Sequence, residues 1–171
     1  ALGARVSMTL FAIAAGIDDP KARSTISPPG LWRWLMPVAV LAYLATAAPL
    51  IGHTADDSYI SLRYARHLVE GHGLVWNPGE PVPVEGYSNL LWVLLMAAFE
   101  WLAPASAMLL AKLVGLAGGL VCVLLTARLA RAWGVGSEGQ GWAALFLAAS
   151  PAFVFWAGSG METSCFAAAL L

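Results

Sequence analysis

Two neighbouring carboxylates, Asp56 and Asp57, stand near the head of the most polar stretch of an otherwise apolar chain, HTADDSYISLRYARHLVEGHGLVWNPGEPVPVEGYSNLLW from His53 to Trp92. Adjacent carboxylates repel each other unless a cation, a proton or a basic partner intervenes, so the pair is either solvated, neutralised or used. A carboxylate held in a wet cavity can take a proton from a nucleophile or stabilise developing positive charge. A third acid, Glu162, follows the run Gly158-Ser159-Gly160-Met161 and is expected on the same outer side as Asp56. If a divalent cation were present, Asp56, Asp57 and Glu162 would be its ligands. Arg63 and Lys112 are the candidates for holding a phosphate, as guanidinium and ammonium groups both do. Tyr64, Glu85, Tyr87 and Asn89 are the candidate wall of the same cavity.

Each of these residues also has a plain reading. Acids in the first turn of a helix complement its dipole, and Thr54 with Asp57 resembles a weak capping box. Glu162 has the same alternative at the start of the next helix. Arg63 and Arg66 could neutralise the aspartates, although Arg66 equally suits an exposed pair with Glu70 one turn on. His67 and His72 read as solvated surface histidines, Trp92 as an interfacial belt aromatic, and Lys112 as a snorkelling side chain.

The composition decides where such a site must sit. Apolar residues make up 60% of the 171 positions and charged residues 11%, with eight Trp, a balance that belongs to a membrane protein. The net charge of −1, with nine scattered Lys and Arg, offers nucleic acid no basic patch. Cys122 and Cys165 lie singly in apolar runs, without metal-ligand spacing.

An all-α membrane architecture is therefore expected. Residues 1–33 read as a cytoplasmic leader, with an apolar run from Met8 to Ile17 too short to span. The rest, 34–171, reads as a transmembrane module: a first span over 34–52, an extracytoplasmic loop over 53–106, a second span over 107–127, a third over 141–157 that can kink at Pro151, and a fourth beginning at 164. The loop is expected to hold an amphipathic helix over 56–70 and a juxtamembrane helix over 89–102. Lys21, Arg23 and Arg33 before the first span place the N-terminus in the cytoplasm and the acidic loop outside. A chain that begins without Met and ends inside a fresh apolar run reads as a piece of something longer, with further spanning helices expected beyond Leu171; a mis-called start, with Met8 or Met36 as internal starts, would look the same.

With these residues set out, DDSYISLRYARHLVEGHGLVWNPGE, the following VEGYSNLLW and the later SGMET resemble membrane-embedded glycosyltransferases of the GT-C fold. The nearest likeness is to actinobacterial arabinofuranosyltransferases and to the protein mannosyltransferase and aminoarabinose transferase group. The resemblance implies a multi-pass enzyme of the bacterial plasma membrane with its active face outside. Its donor would be a sugar on a polyprenyl phosphate, its acceptor a hydroxyl of a cell-envelope glycan, lipid or protein, and its stereochemistry inverting. It also implies that Asp56 or Asp57 is the catalytic carboxylate, with Glu162 as a further acid. PVPVEG departs from the pattern, in which a basic residue often precedes VEG. A transporter or channel subunit and a non-catalytic assembly protein are the alternatives; the former is expected to carry its acids in mid-span rather than at helix ends.

Overall fold

The computed structural model describes residues 32–171 apart from Pro83. The leader, its short apolar run, Lys21 and Arg23 lie outside the described residues. Among those described, every regular element is helical and no strand occurs.

Helix α1 runs Trp32–Leu50, α2 Asp56–Val69 and α3 Leu90–Leu102. A single 3-10 turn, Pro104–Ser106, leads into α4, Ala107–Ala132, and the chain ends with α5 Ser137–Ala148, α6 Pro151–Gly158 and α7 Thr163–Leu170. Among the described residues, the segment Pro104–Ala132 is the one helix long and apolar enough to cross a bilayer, with a mean hydropathy of 2.3 over its best window. The described part of α1, Trp34–Leu50, and α3 are shorter apolar helices. The expected third span is two helices that meet at 61°. Pro151 explains the break: it cannot donate to the preceding turn, and it drives Ser150 into an extended conformation. The Ser150 hydroxyl then caps α6 by accepting from the Phe153 amide at 3.5 Å.

The helices build two adjoining cores. In the first, Ala39, Tyr43 and Ala47 of α1 meet Val123 and Ala127 of α4, Ala144 and Ala148 of α5, and Val154 and Ala157 of α6. Small residues let the backbones close in, as Gly and Ala do wherever helices pack tightly. A Cβ on Gly115 would collide with the Ala157 carbonyl oxygen, and one on Gly119 with the Tyr43 hydroxyl. Leu35 of α1 sits on Gly141 of α5, whereas Lys112 near the start of α4 reaches beyond the end of α1. Helices α1 and α5 thus run together and α4 runs against them.

The second core caps the N-terminal end of α4. Tyr64 and Ala65 of α2 pack on Trp92, Val93, Met96 and Ala97 of α3 and on Ala111 of α4. Glycine ends α2, as its position predicts: Gly71 takes φ +82°, and the His72 amide returns to the His67 carbonyl at 2.9 Å. The segment Asn77-Pro78-Gly79-Glu80 turns as its residues demand, with Gly79 at φ +88° and the Asn77 amide donating to Glu80 at 2.6 Å.

Candidate functional site

Three pieces of chain meet where the cap joins the bundle: the first turn of α2, Asn89 ahead of α3, and the turn between α6 and α7. The Ser159 carbonyl oxygen accepts from the Ala55 amide at 3.1 Å and from the Ser58 hydroxyl at 2.8 Å, a bond between residues 101 positions apart. Gly160 is required here. It adopts φ +90°, and a Cβ would press on Met108 and Ser58. Its carbonyl accepts from Trp92 Nε1 at 3.0 Å. The turn also braces itself, the Ser159 hydroxyl donating to the Trp156 carbonyl at 2.9 Å.

Asn89 ties the acid into this junction. Its side-chain amide donates to Glu162 Oε2 at 2.7 Å and contacts the Ser61 hydroxyl at 3.3 Å. Although Glu162 occupies the N-cap position of α7, its carboxylate makes no capping bond. The carboxylate is instead oriented by Asn89 and half-buried, while it keeps its place at the positive end of α7.

Asp56 and Asp57 are both exposed in the first turn of α2, and neither is hydrogen-bonded or ion-paired to another described residue. The capping box does not form: Ala55 is the N-cap, and no side chain caps the helix. Helical spacing separates the two acids. Asp57 lies one turn before Ser61 and two before Tyr64, on the face turned towards α3. Asp56 shares its line with Arg63 and His67, on the other side of the helix.

That other side is occupied with holding the loop. Arg63 donates from Nε to the Trp76 carbonyl at 2.9 Å and from a terminal nitrogen to Asn77 at 3.0 Å, and its guanidinium lies 4.3 Å from the Trp76 ring centre. His67 Nδ1 is 2.8 Å from the Val75 carbonyl oxygen, so it is a loop tie rather than a solvated histidine. Arg63 therefore pairs with neither aspartate and with no other carboxylate among the described residues.

Several other expectations change in the same way. Lys112 is buried and donates to the Ile51 and His53 carbonyls at 2.9 and 2.7 Å, which spends two of its three N–H groups on the exposed end of α1. It neither snorkels nor presents itself to a phosphate. Tyr64 is fully buried and lines no cavity: its hydroxyl donates to the Val84 carbonyl at 2.6 Å and accepts from the Gly86 amide at 2.9 Å. Tyr87 packs edge-on against it, with ring centres 4.8 Å apart, and Glu85 is exposed. Trp92 is a buried tie, not a belt aromatic. Arg66 bonds Glu100 of α3 at 3.3 Å instead of Glu70. That partner had a sequence signal, because a lone acid on an apolar helix must find a cation or a hydrogen-bond donor.

No group of three or more His, Cys, Asp or Glu capable of holding a metal ion occurs among the described residues, so Asp56, Asp57 and Glu162 are not assembled as a three-ligand cation site. Comparison with known proteins adds no name to this geometry: no family model, curated protein or solved structure matches the chain.

Proposed function

We propose that this chain is the N-terminal module of a multi-pass GT-C-type glycosyltransferase. In this reading the N-terminus is cytoplasmic, and the cap of α2 and α3 faces the extracytoplasmic side. The observation that carries the reading is the hydrogen-bonded meeting of the Asp56–Asp57 helix start with the Ser159–Glu162 turn, 101 positions away. The carboxylate that Asn89 orients and the helix start that carries the aspartates belong to one junction of helix ends, where in this reading a membrane-borne donor and a water-borne acceptor meet.

Of the two aspartates, Asp57 is the better placed as base, since it shares a face with Ser61, which touches the amide that holds Glu162. In the proposed reaction Asp57 takes the proton from the acceptor hydroxyl as that oxygen bonds to the anomeric carbon. The bond from this carbon to the polyprenyl phosphate oxygen breaks, the phosphate leaves with the electron pair, and the configuration inverts. Glu162 steadies the positive charge that develops on the sugar ring.

The test replaces Asp56 and Asp57 singly by Asn in the full-length protein and follows transfer from a polyprenyl-phosphate sugar. Asp57→Asn is expected to lower kcat by about a hundredfold or more, the usual worth of a positioned base. Full activity in both variants removes the mechanism. Accumulation of a solute by wild-type protein in sealed vesicles, with no transfer, would support the transporter reading.

A further inference from the structure

The only charge on the thirteen-residue apolar helix α3 is Glu100, and it is not used by the junction described above. Its side chain is 4% exposed, and its ion pair with Arg66 crosses to α2, where the guanidinium stays 54% exposed. Burying a carboxylate is costly unless the site returns that cost in structure or in binding. Beside the pair opens a cleft of about 380 Å³, lined by Arg66, Val69, Glu70, Glu100, Pro104 and Ala105.

The position and charge of the cleft define its occupant. Pro104 and Ala105 begin the segment that is long and apolar enough to cross a bilayer, and in the membrane reading proposed above, on which this inference rests, the cleft lies at the depth of lipid headgroups. Trp101 and Leu102, next to it, are 74% and 68% exposed and offer an apolar bed for an acyl chain. One guanidinium faces two carboxylates. Because Arg66 is already paired with Glu100, Glu70 is left in excess; its nearest cation, His72 Nε2 at 3.8 Å, is charged only when protonated. An anionic headgroup would meet net repulsion here. A zwitterion fits, with its phosphate on the remaining N–H groups of Arg66 and its cation between Glu70 and Glu100.

We propose that this cleft binds the headgroup of a phospholipid carrying a primary ammonium, such as phosphatidylethanolamine. A primary ammonium donates hydrogen bonds to both carboxylates, whereas a trimethylammonium donates none, so the site discriminates by hydrogen bonding as well as by charge. Bound lipid would clamp the last turns of α2 and α3 to the start of α4.

The experiment uses the full-length protein, purified in detergent free of phosphatidylethanolamine and titrated with dihexanoyl-phosphatidylethanolamine, -choline and -glycerol, with phosphorus NMR as the readout. The ethanolamine lipid is expected to bind about tenfold more tightly than the other two, the worth of one charge-assisted hydrogen bond. Glu70→Gln is expected to erase that preference. Glu70 is exposed, and an unchanged near-ultraviolet circular dichroism spectrum checks that the variant is folded. Equal binding of the three lipids, tighter binding of the glycerol lipid, or a preference that survives Glu70→Gln overturns the proposal. So does equally tight binding of free phosphoethanolamine, which would make the site one for a soluble zwitterion.

Discussion

The bundle and the cap solve the same problem, bringing helices together, by opposite means. Where α1, α4, α5 and α6 meet, the core is mostly alanine, and glycine removes the last obstacle to backbone contact. Where α2 and α3 meet, the core is built from Tyr64, Trp92 and Met96, and polar side chains tie the connecting loop to α2. The difference follows from what each must restrain. A helix in an apolar setting satisfies its own backbone, so its neighbours need only shape. A loop of irregular backbone must have its N–H and C=O groups met from outside, and Tyr64, Arg63 and His67 meet them.

This contrast can be broken at four places, in falling order of effect. Gly115→Ala drives a methyl group into the Ala157 carbonyl, and overpacking against backbone should cost about 3 kcal/mol, read as a lower denaturant midpoint in micelles. The whole bundle should loosen, because nothing at that contact can rotate away. Lys112→Met leaves the Ile51 and His53 carbonyls without their shared donor, at about 2 kcal/mol. Since this lysine links the end of α1 to α4, hydrogen exchange should quicken at the start of α2 as well.

Tyr64→Phe keeps the ring and removes only the clasp, which should cost about 1–2 kcal/mol for the two backbone groups released. Limited proteolysis should then cut near Val84 to Gly86 while the bundle stays intact; cleavage inside the bundle would refute the division into two regions. Trp92→Phe loses one bond to the Gly160 carbonyl and should cost about 1 kcal/mol. Its clearest readout is faster amide exchange across Ser159 to Glu162.

Much of this was legible in the residues. The apolar runs and their punctuation placed α2, α3 and α4 close to where they lie, because Gly71, the Asn-Pro-Gly-Glu turn and Pro151 act locally. The candidate site was legible in part: Asn89 and Glu162 meet by a hydrogen bond, along with Ser61, which no pattern singled out, one turn after Asp57. Arg63, Tyr64 and Lys112 carry chemistry by type, yet they are spent on carbonyl groups that the sequence does not mark as needing a donor.

The sequence by itself determined most of the helical elements and the concentration of acids at helix ends, since propensity, capping and hydrophobic runs are properties of neighbours along the chain. Tertiary structure alone decided which polar groups were left over. A side chain is free for chemistry only after every buried N–H and C=O around it has found a partner, and those partners come from residues up to 101 positions away.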